Sequence, residues 1–307
     1  MPAELAGVTL SGIETIKKGQ VSYVVGCCMK DSPPAIHSVD VWGLDAFCRL
    51  PRAKSFVMVY LFLALTMVLA IVPLFQKVSD FTMTLLSVAP CFLAIFFLWF
   101  EGVDLKNWFH RTFSWSADKT AFFVGFTIVV LPILVAAAFH WYVIGFWPEL
   151  TALPFSGHLF GLFLHCLMNA FIEDIAWRAY LLPRALKLYP GIKILLLLAV
   201  LWAFWHFPFH MVLGLMGPEH ILQQLIFYPA MFFCFLLVYS LSEGSLWPLV
   251  LTHALHNTLC TIFTRHFADI VRVSDSWIFY EARFVLIVSL SFAAMLLFRG
   301  GSNFFSE

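Results

Sequence analysis

The chain has 307 residues, of which 62% are hydrophobic, 18% aromatic and only 12% charged, and its acids and bases balance to no net charge. Soluble domains carry roughly a quarter charged residues, so this is the composition of an integral membrane protein. The bases form no dense or aromatic-interleaved block, which excludes a nucleic-acid partner. The seven cysteines lack a CxxC pair and point to neither a disulfide framework nor a cysteine zinc site.

Residues 1–54 are mixed in composition, broken by Pro33-Pro34, and read as a cytosolic extension without a basic-then-apolar signal pattern. A hydrocarbon core of about 30 Å needs about 20 apolar residues per helix. Runs of that kind begin at Ser55 to Phe75, Thr82 to Phe100, Thr120 to Phe146 and His158 to Leu182. They continue at Ile192 to Gly214, Ile221 to Leu241, Ser245 to Phe263 and Ile278 to Phe298, with only the "SEGS" turn between the sixth and the seventh. The expected fold is therefore an all-α, polytopic transmembrane bundle of about eight spans over 55–300, with a catalytic core at about 156–264 and a 301–307 tail. Basic residues collect in alternate loops, at Lys17, Lys18, Lys30, Arg49, Arg52 and Lys54, at Lys106, Arg111 and Lys119, at Arg184, Lys187 and Lys193, and at Arg299. The other loops hold only Lys77, Arg265 and Arg272, so the positive-inside rule puts both termini in the cytoplasm. No internal or inverted repeat is visible, which disfavours a repeat-built transporter.

Ionisable residues within spans are costly and mark function. The fourth run ends in "FIEDIAWRAYLLPRAL". There Asp174 and Arg178 are four apart with the acid first, the favourable order for a helical ion pair. Glu173 points about 100° away and need not be neutralised by the arginine, and Arg184 reads as a cytoplasmic flank. The bland reading is a solvated ion network at a helix end. In the fifth run, "WAFWHFPFH" places His206 beside Pro208, which frees the carbonyl of Phe204, with His210 a turn further on. The bland reading there is a hydrogen-bonded core histidine. In the seventh, "SLWPLVLTHALHNTL" sets His253 and Asn257 on one face with His256 on the flank, where polar glue between helices is the competing reading. His140, His158 and His165 have no such spacing.

Taken together, a carboxylate, two histidines and an amide from three spans contain the parts for hydrolysis by activated water. Glu173 would accept the proton, one histidine would orient the water, and the other histidine with Asn257 would donate to an oxyanion. Glu173, His206 and His253 would equally make a two-histidine, one-carboxylate zinc site.

The segments "EDIAWRAYL", "WAFWH" and "GSLWPLVLTHALHN" resemble the three motifs of the CPBP family, the type II CAAX prenyl endopeptidases and bacteriocin-processing proteins, over roughly Phe160 to Cys260. The resemblance implies a metal-free glutamic intramembrane endopeptidase, with Glu173 and His206 activating water and His253 and Asn257 lining the oxyanion site. Arg178 and Asp174 would be supporting residues, as would Trp202. Asp174 stands where the family has a second Glu, and Trp202 where it has Phe, a change expected to keep an aromatic wall. No cofactor is expected, zinc being the alternative, and the partners are the lipid bilayer and a membrane-associated or prenylated protein or peptide substrate. HExxH, GxSG and GxGD motifs are absent. A non-catalytic scaffold or bacteriocin-immunity protein of the same fold is the first rival function and a transporter the second.

Overall fold

The computed structural model describes residues 52–75, 79–114, 119–144, 157–189, 191–212, 221–242 and 245–270, with residues 50, 287 and 291. Among them every regular element is helical, so the fold is the expected all-α membrane bundle. In chain order these are α1 (Arg52–Phe75), α2 (Asp80–Phe100), α3 (Leu105–Thr112), α4 (Lys119–Ile144) and α5 (Gly157–Asp174). A π-helical segment, Ile175–Leu181, then leads into α6 (Leu182–Leu188), followed by α7 (Ile192–Val212), α8 (Ile221–Leu241) and α9 (Trp247–Ile270).

Five of the expected runs are helices long and apolar enough to cross a membrane: Lys54–Phe75, Thr82–Phe100, Lys119–Ala136, Leu159–Leu188 and Ile192–Phe209. α8 contributes a shorter apolar stretch, Leu225–Leu241. α9 has the length, but His253, His256 and Asn257 dilute its apolar character. The eighth run, the tail and nearly all of the 1–54 extension lie outside the described residues. Phe92, Trp99, Phe123, Phe126 and Phe160 turn outward. Such a surface is stable in lipid, whose tails are as apolar as these side chains.

Inside the bundle α9 packs on α5 and α4, α7 lies between α1 and α8, and α2 lies against the π segment. The contact between α4 and α9 depends on Gly125, where a Cβ would overlap the Thr252 hydroxyl. Small residues permit such close approach between membrane helices.

The end of α2 shows how the chain places a charge. Gly102 has φ +78°, its N–H donates to the Trp99 carbonyl at 2.9 Å, and the Val103 N–H reaches back to Leu98 at 3.0 Å. This is a Schellman cap, in which glycine adopts the left-handed conformation and satisfies the last carbonyls. It leaves Glu101 at the C-terminal end of a helix dipole, an unfavourable place for an anion. The compensation comes from Arg184, which is fully buried and forms an ion pair with Glu101. Arg184 Nε donates to both Glu101 oxygens at 3.1 Å, the Tyr180 hydroxyl donates to the same carboxylate at 3.2 Å, and Arg184 Nη1 donates to the Tyr180 carbonyl at 3.1 Å. Arg184 is therefore a buried ion-pair partner and not a solvated flank. A positive charge near a span end reads as a loop residue in sequence, whereas its partner lies 83 residues earlier.

α3, which no sequence pattern announced, is capped by Asp104, whose carboxylate accepts from the Asn107 N–H at 3.2 Å. Its last carbonyls are satisfied by the turn ahead of α9: Leu246 N–H donates to Thr112 O (2.7 Å), Ser245 Oγ to Ser114 O (2.6 Å) and Trp247 Nε1 to Phe113 O (2.9 Å). That clamp fixes where α9 starts.

Breaking a buried ion pair from one side strands the other charge, at a cost of about 3–5 kcal/mol, whereas replacing both partners is close to neutral. Glu101→Gln should therefore lower the thermal unfolding temperature in detergent sharply. The double variant Glu101→Gln with Arg184→Met should recover most of the loss.

Candidate active site

Four elements bring the polar residues together. α5 ends on Glu173 and Asp174, the π segment carries Arg178, α7 carries Trp202 and His206 one turn apart, and α9 carries His253 and Asn257 one turn apart. A π turn stacks residues five apart, and its wider ring is closed here by the Leu182 N–H reaching the Trp177 carbonyl. Consequently Arg178 meets both acids: Nη1 is 3.0 Å from Asp174 Oδ1 and 3.6 Å from Glu173 Oε1. Ideal α-helical geometry leaves Glu173 free of the arginine, whereas here the two are 3.6 Å apart. The shared cation still favours Asp174.

The two acids differ in access. The Asp174 side chain is 0% exposed and the Glu173 side chain 11% exposed. Asp174 also has a second partner that helical spacing did not announce. His253 Nδ1 lies 3.1 Å from Asp174 Oδ2. A carboxylate can only accept, so Nδ1 carries the proton and Nε2 is turned toward Glu173 Oε2, 4.0 Å away. His206 Nδ1 lies 2.7 Å from the Trp202 carbonyl and by the same rule carries a proton there. Its Nε2 then lies unprotonated 3.7 Å from Glu173 Oε1. Both imidazoles therefore present Nε2 to the same carboxylate.

Aromatic side chains fix these rings. His206 stacks on Tyr228 with centroids 4.3 Å apart and a 16° interplanar angle, and Trp202 meets it edge-on at 4.7 Å. His253 tilts against Phe235 at 4.7 Å. The Arg178 guanidinium lies 4.3 Å from the Trp202 ring centroid, 5.2 Å from Phe232 and 5.7 Å from Phe235. Its Nη2 has no hydrogen-bond partner among the described residues. These ring faces stabilise the remaining positive charge through their quadrupoles. Trp202 does more than supply a wall, because its Nε1–H donates a hydrogen bond to Glu173 Oε1.

Asn257 is half-buried, and among the described residues its side-chain amide makes no hydrogen bond to the acids or histidines. The structure thus gathers Glu173, Asp174, Arg178, Trp202, His206 and His253, and Asn257 follows His253 by one turn of α9. His256 is buried apart from them, 3.4 Å from the Cys260 sulfur, and His165 pairs with Asn169 at 3.0 Å on an exposed face. The side chains of His140, His158 and His210 lie outside the described residues. Among the described residues no three His, Cys, Asp or Glu groups are disposed to hold a metal ion. Sequence reasoning missed Tyr228, Phe232 and Phe235, which sit in an apolar aromatic run where nothing distinguishes a ring that supports a site from one that faces lipid.

A helical membrane bundle with an acid and two histidines converging at the buried end of one span defines a narrow class of protein. Residues 155–259 match the family model described as type II CAAX prenyl endopeptidase Rce1-like. That segment is about a third of the chain and contains every residue of the site. The match supports, at the level of the family, a CAAX-type intramembrane protease, and the five apolar helices support a protein integral to the membrane. No curated protein matches the chain.

The tautomers are open to direct measurement. Nitrogen NMR on ring-labelled histidine should show Nδ1 protonated in both His206 and His253. Asp174→Ala should release the His253 Nδ1 proton to exchange and leave that of His206 in place.

Proposed function

We propose that the protein is a metal-free glutamic endopeptidase that cleaves a peptide bond of a membrane-associated or prenylated protein. The observation that carries this reading is that Glu173, the more accessible of the two acids, is faced by His206 Nε2 and His253 Nε2 at 3.7 and 4.0 Å. These separations are too long for direct hydrogen bonds, yet a water about 2.8 Å from each group fits between a carboxylate oxygen and an imidazole nitrogen.

In this scheme Glu173 takes one proton from that water and His206 Nε2 accepts a hydrogen bond from the other. The resulting hydroxide adds to the scissile carbonyl carbon. His253, held by Asp174 through Nδ1, donates to the oxyanion from a protonated Nε2. The Asn257 amide, which makes no hydrogen bond among the described residues, supplies the second donor. Collapse of the tetrahedral intermediate breaks the C–N bond, and Glu173 returns its proton to the leaving amine. One water is consumed and one acid and one amine are formed.

Asp174 is thereby a positioning residue with two tasks, to balance Arg178 and to orient His253. A zinc-dependent route would draw on Glu173, His206 and His253. The Glu173 oxygen nearest His206 is already engaged by the Trp202 N–H and lies near Arg178, and a cation beside a metal ligand opposes metal binding.

Purified protein with a membrane-anchored peptide substrate provides the test. Glu173→Ala and His206→Ala should each lower kcat by about 10²–10⁴-fold, and Asn257→Ala, as one oxyanion donor, by about 10²–10³-fold. Cleavage by Glu173→Ala at the wild-type rate would remove the carboxylate from the mechanism. A chelator should leave turnover unchanged, and loss restored by added zinc would replace this scheme with the metal one.

A further inference from the structure

We propose that Trp202 is a positioning residue for Glu173: its indole N–H, a donor that phenylalanine at this position lacks, holds one carboxylate oxygen so that the other receives the proton from water. This rests on the hydrolytic role proposed for Glu173. Trp202 is 2% exposed and enclosed by rings, with Tyr228 edge-on at 5.7 Å, Phe232 at 6.1 Å and Phe235 at 6.2 Å. Its position is therefore set by packing, and the N–H it presents to Glu173 Oε1 is a fixed donor. The same residue holds His206, whose Nδ1–H donates to the Trp202 carbonyl. A single residue thus orients the acid through its side chain and the histidine through its backbone.

The face of the indole has a further use. Arg178 lies over it at 4.3 Å, so the ring accepts the cation on its face while its edge donates to the anion. Arg178 stays 3.0 Å from Asp174 and 3.6 Å from Glu173. With phenylalanine in place the cation–π contact would survive but the donor would not. Glu173 Oε1 would then have Arg178 as the charged donor within reach, and a carboxylate drawn into a close ion pair is a weaker base. Glu173 Oε2 accepts no hydrogen bond among the described residues, which leaves it for the water.

Two variants separate the donor from the shape: Trp202→Phe, and replacement of Trp202 by β-(3-benzothienyl)alanine, which keeps the bicyclic ring and substitutes sulfur for N–H. A hydrogen bond to a charged group is worth enough to slow the chemical step about tenfold or more when lost. Both variants should show that fall in kcat with KM and unfolding temperature near wild type. Wild-type kcat in the benzothienyl variant overturns the proposal, as does a loss in Trp202→Phe that tracks unfolding while the isostere remains fully active. A readout free of turnover accompanies this: the ¹⁵N–¹H resonance of the Trp202 indole should move in Glu173→Ala. If it does not move, the hydrogen bond is absent and the proposal falls although Glu173 can still be catalytic. If it moves in a protein that cleaves no peptide, the hydrolytic reading fails and takes this role for Trp202 with it.

Discussion

A guanidinium within an apolar bundle must be neutralised, and Arg178 is neutralised by two carboxylates whose claims on it are unequal. Asp174, fully buried and 3.0 Å away, has the stronger claim, and Glu173, 3.6 Å away, the weaker. In the proposed mechanism that inequality is what permits one acid to be structural and its neighbour reactive. If Arg178 sat equally on both, neither would be a useful base. If it touched only Asp174, the Glu173 charge would have no cation close enough to stabilise it in a low-dielectric site. The π segment creates the intermediate case by bringing the residue five positions beyond Glu173 round to its side.

The surrounding structure serves this geometry at some distance from it. Glu101, Arg184 and Tyr180 tie the end of α2 to the chain just beyond the π segment, and Arg184 also lies 4.2 Å from the Tyr180 ring centroid. The wide turn, intrinsically less stable than an α-helix, is therefore pinned beyond its C-terminal end by a buried ion pair and at its start by Asp174. The hydrogen bonds from the α9 turn to the end of α3 act similarly on the other side. They set the axial position of α9, and with it the position of His253 against Asp174.

Much of this was legible in the sequence, for identifiable reasons. Helical spans follow from runs of apolar residues, and polar residues within such runs are so costly that they point to a site by themselves. Hence Glu173, Asp174, Arg178, His206 and His253 stand out, and the structure places them together. The contacts that long-range packing decides were not legible. Arg184 meets Glu101 across 83 positions and Asp174 meets His253 across 79, and no local spacing encodes either. The π turn was also hidden, since "IAWRAYL" has the composition of any buried helix. Trp202 was visible as a residue but not as a donor, because an aromatic side chain in an aromatic run reads as packing until the direction of its N–H is known.

The substitution at position 202 also bears on how such a site tolerates change. A carboxylate beside both an arginine and two imidazoles can settle in several arrangements, and the one adopted depends on the fixed donors nearest to it. A donor locked by packing selects among them without adding charge, whereas a further cation would deepen the ion pair and weaken the base. Aspartate at position 174 acts in the same direction. Its shorter side chain reaches Arg178 one turn away through Oδ1 and His253 through Oδ2 without extending toward Glu173. Asp174 and Trp202 thus both hold neighbouring groups, and Glu173, His206 and His253 keep the identities that the proposed chemistry requires.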